Sequence, residues 1–216
     1  MLKNFDKNQN YYKFYKRKNI PIVFIHGVGL DHEMWFPQIR SFKNNSILVY
    51  DLLGHGKTPL NKKSVNFEDF SKQLNNLLNN LNIKKINLVG FSFGSLVALN
   101  FAKKYQKKVN KLILISTVFK RDNLEKYNVR ERYKKAKKNI PISNLALKRW
   151  LSPKFINNNP KIKKYILTTL NKKNKDYLNF LKSYKLFSYF KDSTKEIKKI
   201  KVPSLVLTGT KDQGST

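Results

Sequence analysis

The stretch Ile86-Asn87-Leu88-Val89-Gly90-Phe91-Ser92-Phe93-Gly94-Ser95-Leu96-Val97-Ala98-Leu99 begins as an apolar β run and ends as a small-residue helix. Between the two stands Gly90-x-Ser92-x-Gly94, the spacing of a nucleophile elbow. A strand that becomes a helix within a few residues puts the central residue into a strained backbone conformation. Glycines two places before and two after leave room for strand and helix to approach closely. The serine hydroxyl is thereby pushed outward, at a helix start that carries unpaired N–H groups and a positive dipole end. The competing reading is a serine that simply N-caps a buried helix.

Working outward, Ile20–Ile25 reads as a buried strand that runs into the tight turn His26-Gly27-Val28-Gly29. A helix with Trp35, Ile39 and Phe42 on one face follows. Ser46–Tyr50 is a second buried strand, ending in the glycine-punctuated loop Asp51-Leu52-Leu53-Gly54-His55-Gly56-Lys57-Thr58. Residues 67–81 carry Phe67, Phe70, Leu74, Leu77, Leu78 and Leu81 at helical spacing, with Asn66 and Asp69 as an N-capping pair. The helix after the elbow turns Gly94, Val97, Ala98, Phe101, Ala102 and Tyr105 inward, and Lys111–Ile115 is the next strand. Continuous apolar strands alternating with helices predict a doubly wound, mostly parallel sheet covered on both faces. In such sheets ligands bind at the carboxyl ends of the strands, where the turns after Ile25, Tyr50, Val89 and Ile115 lie. Residues 1–19 are polar and basic, with a faint edge-strand signal over Tyr11–Tyr15.

Past residue 119 the pattern changes. Residues 120–195 contain no buried strand and read as helices separated by Pro141, Pro153 and Pro160, with aromatic faces at Ile162, Tyr165, Ile166, Thr169 and Leu170 and at Tyr177, Leu178, Leu181 and Tyr184. A strand then returns, Pro203–Thr208, followed by Gly209-Thr210-Lys211-Asp212. The expected organisation is a core over 1–119, a helical lid over 120–195 and a core return over 196–216; a helical tail packed elsewhere is the alternative.

Composition excludes several classes. With no cysteine, disulfides and thiolate metal sites are ruled out, and no apolar run reaches the length of a membrane span. The N-terminus lacks the apolar segment of a signal peptide, so a cytoplasmic protein is expected. The net charge of +32 comes from 45 basic and 13 acidic side chains. Only six of the basic residues are arginines (17, 40, 121, 130, 132 and 149), and the lysines spread over every predicted surface. That distribution fits AT-rich codon usage better than a nucleic-acid interface, which favours arginine.

Taken together, the His26-Gly27 turn, the Asp51-x-x-Gly54-x-Gly56-x-Thr58 loop, the Gly90–Gly94 elbow and Gly209–Asp212 make the chain resemble the α/β-hydrolase superfamily, in its branch with a helical cap. Nearly the whole chain takes part. It is similar to bacterial esterases, 3-oxoadipate enol-lactonases and carbon–carbon bond hydrolases. The resemblance implies Ser92 as nucleophile and Asp212 as triad acid, with Asp122 in reserve and a plain turn residue as the competing reading of Asp212. It implies an oxyanion hole from the backbone N–H groups of Phe93 and Val28, Gly29 being the alternative to Val28. The aromatic lid suggests a small-molecule substrate with an apolar part, the proposed chemistry needs no metal or organic cofactor, and composition leads us to expect no specific nucleic acid and no membrane as partners.

One departure matters. The family's histidine belongs to a turn after one further strand, and none of His26, His32 and His55 holds that position. His26 and His55 read as structural loop residues, and His32 as a partly exposed residue at a helix start. The expectation is therefore a C-terminally truncated chain or a fragment of a longer frame, lacking the last strand and helix, with an exposed strand at 204–208. Three functions stay open: hydrolysis of a small ester, thioester or lactone; carbon–carbon cleavage or lyase chemistry at the same site; and an inactive binding module.

Overall fold

The computed structural model describes residues 2–171, 175–191, 197–210 and 212. Its sheet has seven strands: β1 (Leu2–Phe5), β2 (Tyr11–Tyr15), β3 (Ile22–Ile25), β4 (Ile47–Tyr50), β5 (Ile86–Phe91), β6 (Val109–Ile115) and β7 (Ser204–Leu207), in the spatial order β1-β2-β4-β3-β5-β6-β7. From β4 to β7 every pairing is parallel; β1 and β2 join antiparallel at one end. The helices are α1 (Phe36–Ser41), α2 (Phe67–Asn80), α3 (Phe93–Lys104), α4 (Asn123–Lys137), α5 (Ser143–Trp150), α6 (Pro153–Asn158), α7 (Pro160–Leu170) and α8 (Lys175–Ser188).

Successive side chains of a strand point to opposite faces, and here both faces are apolar. Val23, Ile25, Leu48, Tyr50, Leu88, Leu112 and Leu114 pack under α2 and α3. Phe24, Ile47, Val49 and Val89 meet Trp35 and Ile39 on the other side. Right-handed crossovers explain the split: α1 carries the chain one way across the sheet, and α2 and α3 carry it back the other way. The direction reverses between β3 and β5, so a crevice opens above their carboxyl ends.

Four details differ from the sequence reading. β2 is not an edge strand, because β1 pairs outside it; four residues with no apolar alternation gave no sign of β1. Phe42 is exposed, since α1 stops at Ser41 and leaves it past the helix end. On α8 the buried face runs through Phe180 and Tyr184, so Leu178 faces solvent, while the Tyr177 side chain lies outside the described residues. Last, residues 32–41 form a 3₁₀ turn followed by α1 rather than one helix.

Helices α4 to α8 fall between β6 and β7 and build two small cores of their own, Val129, Ala136, Ile142, Phe180 and Tyr184 in one and Ala146, Leu147, Ile166 and Leu170 in the other. Pro153 and Pro160 start α6 and α7, where a missing N–H costs nothing. This layer is tied to the sheet layer by polar contacts. Tyr165 Oη donates to Asp31 Oδ1 at 2.8 Å, and Lys182 Nζ donates to the Lys62 carbonyl at 2.7 Å. All four residues of β7 are exposed. Among the described residues no helix is long and apolar enough to cross a membrane.

Asn66 and Asp69 form the expected capping box, each side chain accepting from the other's backbone N–H at 3.0 Å. Asn66→Ala is expected to cost about 1 kcal/mol, and Leu74→Ala, at a fully buried position, about 2–5 kcal/mol. Urea titration of both variants checks the two values; equal costs would mean that α2 is not anchored mainly by its apolar face.

Candidate active site

Ser92 stands between β5 and α3 with φ 54° and ψ −116°, a conformation that a non-glycine residue keeps only where its surroundings enforce it. The enforcement is visible at the two glycines. A Cβ on Gly94 would lie 2.5 Å from the carbonyl oxygens of both Ile25 and His26, and one on Gly90 would collide with the Gly94 carbonyl. Ser92 N–H donates to the Ile115 carbonyl at 2.8 Å, which holds the turn against β6. Its side chain makes no capping hydrogen bond, so the reading of Ser92 as a helix cap does not hold. Phe93 is the first residue of α3, and its N–H has no partner within the helix. Its ring is fully buried, edge-on to Phe70 at 5.3 Å.

Ser92 lines a cavity of about 200 Å³ between the two layers. Gly27, Val28 and Phe91 share its sheet side, while Arg132, Arg149 and Tyr184 face it from α4, α5 and α8. Gly29 turns the β3 loop beneath the cavity with φ 77°, and Leu170 and Phe180 fill the space a side chain would need there. Asp212, in the turn after β7, lines the same cavity as Ser92, its N–H donating to the Gly209 carbonyl at 2.9 Å. Asp122 does not line it. Its carboxylate instead accepts from Glu125 N–H at 2.7 Å as the N-cap of α4, a structural role in place of the reserve acid's.

All three histidines are buried, and none lines the cavity. His26 Nδ1 lies 2.8 Å from the Gly27 carbonyl and Nε2 accepts from Leu52 N–H at 3.0 Å, which fixes the neutral tautomer with the proton on Nδ1. Burial, with the nearby His26, pushes His55 down to about 3; burial also lowers His26. His32 is not partly exposed as its position in the sequence suggested. It is 3% exposed because its Nδ1 sits 2.7 Å from Asp51 Oδ1, and Asp51 also accepts from the backbone N–H groups of His32 and Lys57. Burial alone would raise the Asp51 carboxyl; the hydrogen bonds it accepts from the His32 ring and from Lys57 N–H outweigh it and hold Asp51 below the ordinary carboxylate value. This knot ties the glycine loop after β4 to the loop after β3 that forms the cavity floor.

Residues 20–215 match the family described as the alpha/beta hydrolase fold. The chain belongs to that family. It is 27% identical over 216 residues to (E)-2-((N-methylformamido)methylene)succinate hydrolase of Acinetobacter baylyi, covering 97% of this chain and 79% of the relative. It is 23% identical to 3-oxoadipate enol-lactonase 2 of the same organism, over 96% of this chain and 77% of that one. The crystal structure of the enol-lactonase from Burkholderia xenovorans superposes with a TM-score of 0.81 at 24% identity, covering 94% of this chain and 79% of that chain. With named hydrolases as relatives over nearly its full length, this α/β hydrolase is an enzyme of the hydrolase class.

Sequence reasoning missed the cavity residues contributed by the helical layer: Arg121, Arg132, Arg149 and Tyr184. A signal for three of them was present. Four of the six arginines in a lysine-rich chain fall between residues 121 and 149, which codon bias toward lysine does not explain.

Two outcomes are expected. Gly94→Ala, which forces α3 off the β3 carbonyls, should destabilise the fold by several kcal/mol, while Gly209→Ala, with nothing within 4 Å of its Cβ, should leave it nearly unchanged; thermal unfolding separates them. His26 and His55 are held neutral in the fold but take up protons near 6.5 once unfolded. The unfolded state therefore binds more protons, so stability is complete above about pH 6.5 and falls toward pH 3. The slope should reach about 1.4 kcal/mol per pH unit per histidine. Unfolding free energies from pH 8 to 4 check this, with a flatter profile expected for His55→Gln.

Proposed function

We propose that this enzyme is a serine hydrolase that cleaves a small carboxylic ester, thioester or lactone through an acyl-enzyme. The observation that carries the reading is the strained, uncapped Ser92, half-buried at a helix start and lining a cavity shared with Asp212. In the proposed mechanism Ser92 Oγ attacks the carbonyl carbon. The negative charge that develops on the carbonyl oxygen is met by the N–H groups of Phe93 and Val28, with Gly29 as the alternative to Val28; donors of this kind contribute about 10²–10³ each in rate. The adduct collapses as the bond to the alcohol or thiol oxygen or sulfur breaks and that group leaves with a proton (in a lactone the ring opens). The acyl group stays on Ser92 until water adds to its carbonyl and releases it as the carboxylic acid, returning the proton to Ser92. Asp212 serves as the acid that orients the base and stabilises its cation. Leu30, Val118 and Ile142 offer an apolar wall to the substrate. The similarity to an enol-lactonase supports a lactone or ester bond, and that to a succinate-derivative hydrolase supports hydrolysis.

His26, His32 and His55 are each engaged away from the cavity, so the proton of Ser92 goes to a base other than these three. For the 216-residue chain this gives a direct test with a base supplied from solution. On exposure to p-nitrophenyl acetate, peptide mapping by mass spectrometry should find Ser92 acetylated, faster as imidazole is added and not at all in Ser92→Ala. Acetylation spread over lysines with Ser92 unmodified at every imidazole concentration would overturn the reading.

A further inference from the structure

The cavity of the proposed hydrolase has an unusual lining. The chain holds 45 basic residues, of which six are arginines. Among the described residues no lysine lines the cavity, whereas Arg121, Arg132 and Arg149 all do. A blind draw from this composition would rarely return three arginines and no lysine. Arginine differs from lysine in the property that matters for a ligand: a rigid planar fork that pairs with a carboxylate through two parallel hydrogen bonds.

One of the three guanidinium groups is set in place by the fold, and the half-buried Arg132 and the exposed Arg149 line the cavity beside it. Arg121 is 4% exposed; its Nη1 donates to the Phe187 carbonyl at 2.7 Å, and its guanidinium stacks 4.5 Å from the Phe187 ring centroid. Arg132, on α4, lines the cavity with Tyr184 and, second to burial, acts on its hydroxyl, favouring its ionised form. Arg149, on α5, reaches the same space, where desolvation and the charge of Arg132 lower its pKa, and the attraction of Asp212 does not offset them. Two carboxylates line the cavity beside these three cations, Glu125 and Asp212. Glu125 is engaged in the capping box of α4, accepting from Asp122 N–H at 3.0 Å. Bringing like charges together in a partly desolvated space is unfavourable unless an anion enters between them.

We infer that the cavity is built for a substrate that carries a free carboxylate besides the bond to be cleaved, with Arg132 and Arg149 as the residues that bind it and Arg121 as a fixed cation behind them. The helical layer thereby selects the substrate by charge, while Ser92 acts from the sheet layer. The inference rests on the reading of this cavity as the hydrolase's substrate site, but its test reads binding and does not depend on turnover.

Succinate, monomethyl succinate and dimethyl succinate are titrated calorimetrically at about 0.15 M salt into the full chain and into Ser92→Ala, Arg132→Gln, Arg149→Gln and Arg40→Gln, the last removing an exposed arginine outside the cavity. Succinate is expected to bind saturably to the parent chain, Ser92→Ala and Arg40→Gln alike. Its affinity should fall at least about tenfold in Arg132→Gln and in Arg149→Gln, the loss of one charged hydrogen-bonding partner. Dimethyl succinate should bind weakly and without distinction among variants. Arg132→Lys and Arg149→Lys keep the charge without the fork; they should recover only part of the loss, and they guard against misreading an unfolded Gln variant. Equal succinate affinity across all folded variants, tighter binding of the neutral diester, or no saturable succinate binding would overturn the inference. Failure of Ser92 acetylation with arginine-dependent succinate binding intact would instead overturn the serine mechanism alone.

Discussion

The structure depends on one contact between backbones: the first turn of α3 lies directly on the carbonyl ends of β3, with Gly94 against the Ile25 and His26 oxygens. That approach is closer than any side chain permits, which is why glycine stands at 90 and 94. It also leaves Ser92 no regular conformation, since the chain must reverse from strand to helix within one residue. The strain at φ 54° is maintained by a fully buried core around Phe93, Val97, Ala98 and Phe101. Because β3 and β5 are also where the winding of the sheet reverses, the same contact delivers the hydroxyl to the crevice in which such sheets bind ligands.

A second constraint acts beside the first. The loop after β3 forms the floor of the cavity, the loop after β4 braces it from behind, and loops are ordinarily the least rigid part of a fold. Here Asp51 accepts from two backbone N–H groups and from the His32 ring, and a Cβ on Gly56 would collide with its carboxylate. His26 bridges from the Gly27 carbonyl to Leu52 N–H. His26 and His32 thus act as buried crosslinks between the two loops, whereas His55 bonds to the Leu53 carbonyl within its own loop. A charged carboxylate at 0% exposure survives because each oxygen has a donor.

Much of this was legible in the chain. The parallel strands announced themselves as unbroken apolar runs, because both faces of such a sheet are buried. The capping box at Asn66 and the apolar stripe of α2 followed from local rules of helix geometry. The elbow was readable because its glycines answer a backbone requirement that no other residue meets. What was not legible had non-local causes. β1 exists only through its pairing with β2, the burial of His32 only through a carboxylate 19 residues away in sequence, and the exposure of Leu178 only through which face of α8 meets α4.

By itself, then, the sequence determined the α/β architecture, the place of Ser92 and the turn that holds Asp212, since spacing, apolar periodicity and glycine positions act over a few residues. Only the tertiary structure decided that Arg132 of α4 and Arg149 of α5 face the same cavity as Ser92 of the elbow. Side chains on separate helices acquire a common target only once those helices have packed against each other, and no local pattern carries that geometry.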